Sequence, residues 1–182
     1  MNSTAQPTRY DRWMFGTMND PRVTKVHATR GRRRALVVAH IALTAVMVTG
    51  FVALFVTEGR WWLAALLAPM VAWIPVTGVL NASTRGLLEL RSRMLDERQL
   101  AERGEVYTRA HRLTLRGMLL ALAGLWAAGL AGLTADGMLA PLGAAAFALL
   151  VLHWLAPLWI AALRAAPDAE LHAGDEEFDD AG

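Results

Sequence analysis

Cysteine is absent from all 182 residues, so the chain has no disulfide framework, no thiolate metal site and no thiol redox switch. Lysine is almost absent as well. Lys25 is the one exception among 18 basic residues, and the rest are Arg. Together with the many Ala and Leu, this usage fits a GC-rich bacterial genome. Charge is scarce at 19%, while the hydrophobic share of 55% exceeds the globular norm of about 45–50%. No Ser/His/Asp constellation, Gly-rich phosphate loop or HExxH is visible, which argues against an enzyme. The RGRRR run at 30–34 has no interleaved aromatics and is explained by membrane orientation, which argues against nucleic acid as a partner.

What remains is apolar length. Four runs carry no Asp, Glu, Lys or Arg: Ala35–Val56, Trp61–Leu80, Gly117–Thr134 and Met138–Leu163. A helix rises about 1.5 Å per residue, so about 20 residues cross a hydrocarbon core of roughly 30 Å. The third run is slightly short and is expected to borrow Leu113 and Leu115. The first run is longer than a signal-peptide h-region, follows a basic tail and has no small-x-small site after it. It is expected to stay in the membrane as an anchor. The predicted fold is all-α, a four-helix transmembrane bundle of two hairpins (35–80 and 117–163). A basic tail (1–34), a charged amphipathic helical loop (81–116) and an acidic, disordered tail (164–182) flank and join them.

The formal net charge of +2 conceals a strong polarity. Residues 1–34 hold eight basic and two acidic groups, residues 81–116 eight and five, and residues 164–182 one and seven. The two short loops, Thr57–Arg60 and Ala135–Gly137, hold a single Arg between them. The positive-inside rule therefore predicts a bacterial cytoplasmic-membrane protein with both termini and the middle loop in the cytoplasm. Trp61 and Trp62 are expected at the outer interface and Trp159 near the inner one.

Polar residues inside a membrane are where function is sought first. Here they are few. His40 lies about 5 residues inside the first run and His153 about 10 inside the fourth, an offset of roughly 7 Å. A bis-histidine haem, a metal site or a proton relay would use that pair. Neutral histidines donating to carbonyls of neighbouring helices are the simpler expectation, with no cofactor and no metal. Thr44 lies one turn from His40 on the same face. Pro69, Pro75 and Pro157 each remove a backbone hydrogen bond and are expected to kink their helices. The carbonyls they free are those of Ala65, Val71 and His153. Gly117, Ala121, Gly124, Ala128 and Gly132 form a small-residue stripe suited to close helix packing, within the chain or in a homodimer. Small four-helix multidrug exporters are similar in size but carry a membrane-embedded Glu, and these four runs have none.

Outside the membrane, Tyr10, Trp13, Met14 and Met18 fall at helical spacing and predict a short interfacial helix that Pro21 ends. In residues 81–116, Leu87, Leu88, Leu90, Met94, Leu95 and Ala101 fall on one helical arc, interrupted by Arg91 and Arg98. Gly104 predicts a break. The pairs Glu89–Arg93 and Glu105–Arg109 have the favourable i,i+4 order. Such a segment suits contact with anionic lipid or a partner protein, for which Arg91, Arg98, Asp96 and Glu97 are the candidate residues. Leu95-Asp96-Glu97-Arg98-Gln99, with Glu102, Arg109-Ala110 and Arg112, resembles the Asp-Glu-Arg signature of small uncharacterised prokaryotic multi-pass membrane proteins. The resemblance covers about a fifth of the chain and implies a topology, not a mechanism. The expected function is that of an accessory, assembly or regulatory membrane protein, with lipid and other membrane-complex subunits as partners. A small permease or channel component and a haem electron-transfer subunit are the alternatives.

Overall fold

The computed structural model describes residues 8–165. The expected disorder of the acidic tail falls, from residue 166 onward, outside the described residues. Among the described residues the elements are all helical, joined by turns, with no strand. The helices are α1 (Arg9–Met18), α2 (Pro21–His27), α3 (Arg30–Val56), α4 (Trp62–Leu67), α5 (Met70–Ser83), α6 (Glu97–Leu130) and α7 (Ala135–Arg164). Four stretches are long and apolar enough to cross a membrane: α3, α4 with α5, α6 and α7.

The start signals are local. Thr8 and Asp11 form a capping box on α1, and Thr29 accepts from the Arg32 amide at the start of α3. Thr134 caps α7 through the Gly137 amide at 3.3 Å. α1 already ends at Met18, so Pro21 opens the next helix rather than closing this one. Of the prolines expected to break helices, Pro69 alone divides one, separating α4 from α5. Pro75 and Pro157 lie inside continuous helices, where flanking turns carry the structure past the missing hydrogen bond.

α3, α5 and α7 pack around Val37, Leu80, Leu158 and Ala162. A second cluster, Leu87, Val106 and Ala161, joins α6 and the segment after α5 to the same end of the molecule. The opposite end is held differently. A Cβ built on Gly50 would lie 2.8 Å from the Leu66 nitrogen and 3.0 Å from the Ala65 carbonyl carbon, so α3 and α4 touch backbone to backbone there. Phe51 stacks on Phe147 at 4.1 Å, tying α3 to α7.

α6 corrects the expected loop. It runs straight through Gly104, and its 34 residues span about 50 Å, well beyond a roughly 30 Å hydrocarbon core. A single interior glycine costs a helix only about 1 kcal/mol, which a long helix packed along α7 absorbs. The apolar part of α6 leaves Leu120, Trp126 and Leu130 more than two-thirds exposed. A surface that apolar is suited to lipid.

The small-residue stripe divides on inspection. Gly117 faces Leu149 of α7, and Ala121 and Ala128 are half-buried. Gly124 faces open space, and Gly132 lies beyond α6 in a left-handed turn with φ of 93°. Within the chain the stripe is therefore not one continuous packing face.

Candidate functional site

Five residues of the apolar region, His40, Thr44, Trp73, Thr77 and Trp159, meet at one point. His40 of α3 is fully buried. Its Nδ1 accepts from the Trp159 indole of α7 at 3.0 Å. That fixes the proton on Nε2, which lies 2.8 Å from the Thr77 hydroxyl of α5. Thr77 in turn donates to the Trp73 carbonyl at 2.7 Å. The Trp73 indole donates to Thr44 at 2.9 Å, and Thr44 donates to the His40 carbonyl at 2.7 Å. Every donor has one acceptor, and the network pins three helices together. In a medium without water, unpaired polar groups are costly, so a closed network of this kind specifies one arrangement.

This geometry revises the sequence expectations. His40 bonds to side chains rather than to carbonyls, and both its ring nitrogens are engaged. Trp159, expected near the inner interface, is partly buried against the core beside the imidazole, at a ring distance of 6.1 Å. His153 is exposed, on a different face from the His40 network. It lines a cavity of about 480 Å³ between α5, α6 and α7 together with Asn81, Glu89, Tyr107, His111 and Trp154. Trp73 and Thr77 form part of its wall. Among the described residues, no group of three or more His, Asp or Glu is placed to hold a metal ion.

Sequence reasoning missed Thr77, Trp73 and Trp159 as partners of His40. The available signal was indirect: Thr77 lies one turn after Trp73, as Thr44 lies one turn after His40. Periodicity along one helix does not say which helix it will meet.

The charged end is ordered as well. Residues 84–96 do not form the expected amphipathic helix. They make turns that bury Leu87, Leu90 and Leu95. Asp11 of α1 is 2% exposed, hydrogen-bonded to Arg93, and within 3.7 Å of the Arg91 guanidinium. Arg93 thus turns to Asp11 and not to Glu89. Burial by itself raises the Asp11 pKa, but the Thr8 amide and hydroxyl and the Arg93 guanidinium outweigh it and hold the value at about 2. Arg91 also sits over the Tyr10 ring at 5.7 Å, and Arg103 donates to the Leu90 carbonyl at 2.9 Å.

Asp96 has a local role. Its carboxylate accepts from the Gln99 amide at 2.7 Å, and the Gln99 side chain accepts from the Asp96 amide at 3.1 Å. The Asp-Glu-Arg-Gln stretch is therefore the capping box of α6, with Glu97 as the favourable acid of the first turn. Arg98 is exposed and lines a cavity of about 590 Å³ with Asp96, Gln99, Glu102, Glu105 and Arg164. Arg91 and Arg98 do not share a face, because one precedes α6 and the other lies within it. Glu105 holds both Arg109 at 2.6 Å and Arg164 of α7 at 2.5 Å. The Arg109 hydrogen bond is the main cause that keeps its carboxyl below the ordinary value, against partial desolvation.

No protein-family model, curated protein or solved structure matches this chain.

Proposed function

We propose that the chain is a four-helix membrane bundle with both termini in the cytoplasm, acting as a non-enzymatic accessory, assembly or regulatory subunit through its folded charged end. The observation that carries this reading is the Asp11–Arg93 clasp. A loop that served only to connect two membrane helices would not require a buried carboxylate. Here Asp11, Arg91 and Arg93 bind α1 to the segment before α6, and Tyr10 and Trp13 remain at least half exposed on α1. Exposed aromatics beside a membrane suit the interfacial zone or a partner subunit.

Two experiments test it. Single-cysteine labelling is expected to find positions 58 and 136 outside and positions 96 and 112 inside. Labelling of position 96 from outside overturns the orientation. Mild-detergent purification from native membranes is expected to yield a stoichiometric partner. Asp11→Ala with Arg93→Ala should release that partner while the chain remains in the membrane. A chain recovered alone, with no effect of the variant, overturns the subunit reading.

The cavity lined by His111, His153 and Tyr107 favours a second reading, a small permease or channel component that takes a ligand between α5, α6 and α7. The Pro69 division of the second span, beside that cavity's α5 wall, supports it. The haem reading has less support, since ligation at His40 would require breaking one of its two hydrogen bonds.

A further inference from the structure

We propose that Arg30, Arg33, Arg34 and Arg164 form a binding site for a phosphate group, carried by an anionic phospholipid headgroup or by a soluble phosphate. The inference rests on the membrane placement proposed above.

The four arginines line a cavity of about 230 Å³, closed by Ala162, Leu163 and Ala165. Water occupies about 30 Å³ per molecule, so a phosphate group with part of its ester fits. Among the described residues, no carboxylate lines the cavity. The arginines come from two helices, three from the first turns of α3 and one from the last turn of α7. An orientation signal requires only that basic residues precede a span. It requires neither convergence with α7 nor burial, yet Arg33 is 3% exposed. Arg30 and Arg33 have further interactions of their own, so the inference rests on the four converging charges and not on any one of them.

Arg164 adds a second observation. Its terminal nitrogens hold Glu105, but its Nε is buried and has no hydrogen-bond partner among the described residues. A buried donor of this kind calls for an acceptor. A guanidinium fork matches phosphate oxygens in pairs, which a lysine ammonium cannot do. Depth suits a lipid phosphate. Arg34 directly precedes the apolar run at Ala35, and Arg164 directly follows Leu163. The cavity therefore opens at the level of lipid phosphates in the inner leaflet.

The test uses the full chain, delipidated in detergent, with short-chain phosphatidylglycerol, phosphatidylcholine and inorganic phosphate as probes. Native mass spectrometry counts bound lipid, and thermal stabilisation reports affinity. Saturable binding of one phosphatidylglycerol per chain, without matching binding of phosphatidylcholine, is expected. Stabilisation by inorganic phosphate at comparable occupancy would identify the oxyanion alone as the ligand, and a response confined to phosphatidylglycerol would identify the lipid. Each charge near an anionic leaflet contributes roughly fivefold in affinity. Arg33→Gln with Arg164→Gln should therefore lose roughly tenfold or more, while Arg98→Gln with Arg112→Gln, which removes the same charge elsewhere at this end, changes it less than about twofold. Arg34 is exposed, so Arg34→Gln should fold normally and lose roughly fivefold even where the double variant does not fold. Equal losses from both pairs, an unchanged Arg34→Gln, or no saturable binding of either anionic probe would overturn the site. Binding seen only after the seven acidic residues of 166–182 are changed to amides would also overturn it. Carbonate extraction separates the two failures. A chain that stays in the membrane but binds neither probe loses only the site, whereas an extracted chain loses the membrane placement as well.

Discussion

The Trp159 indole donates to Nδ1 of His40 across 3.0 Å, and this one bond sets the tautomer of a fully buried imidazole. With Nδ1 committed as acceptor, Nε2 must donate to Thr77, and the hydroxyl of Thr77 must turn to the Trp73 carbonyl. The direction of the network is thus fixed from α7 through α3 to α5.

Thr77→Val preserves shape and removes the acceptor of His40 Nε2. Interhelical hydrogen bonds in membranes contribute about 0.6 kcal/mol on average and up to about 1.7. Thr77→Val should cost about 1–2 kcal/mol in reversible unfolding from mixed micelles, because His40 is left with a buried unpaired donor. A cycle with His40→Leu should show coupling of about 0.5 kcal/mol or more. Strict additivity would mean that the bond contributes nothing.

Gly50 and Gly124 offer a matched comparison on two helices. Gly50→Ala places a methyl group against the backbone of α4, so it should destabilise by roughly 1–3 kcal/mol. Gly124→Ala meets nothing within 4 Å and should be neutral or stabilising by up to about 1 kcal/mol, the helix-propensity gain. Thermal unfolding in detergent checks both. A neutral Gly50→Ala would disprove the close approach of α3 to α4.

The Asp11 clasp predicts a pH dependence of defined sign. The folded-state pKa lies below the ordinary value of 3.8, at about 2. The contribution is therefore complete above about pH 4 and is lost as pH falls through 2. Hydrogen exchange of the α1 amides should be slow and constant from neutral pH to about 4.5, after correction for intrinsic rates, and should quicken below that. Asp11→Asn should exchange fast throughout and show no such transition. The same transition in Asp11→Asn would assign it to another group.

Asp96 discriminates between a capping role and a docking role for the Asp-Glu-Arg-Gln stretch. Asp96→Ala should cost about 1 kcal/mol of α6 stability, and Asp96→Ser should recover most of it, because both side chains of a serine or aspartate cap accept from the same amide. Arg98→Ala should have little effect on stability. If Asp96→Ser is as damaging as Asp96→Ala, the carboxylate has a role beyond the cap.

The apolar spans were legible because length without charge is a one-dimensional property. The short N-terminal helix was legible for a similar reason, since its spacing and caps are local. The 84–96 segment was not. Its leucines fit a helical arc on paper, but Leu87, Leu90 and Leu95 are buried in turns, Leu87 against Val106 of α6 and Ala161 of α7. Asp11 stands 82 positions from Arg93, and no local pattern joins them. Gly50 gave no signal either, because its role depends on the path of α4.

The sequence by itself determined four apolar spans, the concentration of arginine at one end of them and the absence of charge within them, since each follows from composition along the chain. Only the tertiary structure decided that His40 belongs with Trp159 and Thr77, that His153 lines a cavity whose wall includes Trp73 and Thr77, and that Arg164 joins Arg30, Arg33 and Arg34. Those groupings depend on how helices are rotated and which neighbours they meet. Helix rotation is set by packing over the whole molecule, and hydropathy along one strand of sequence does not encode it.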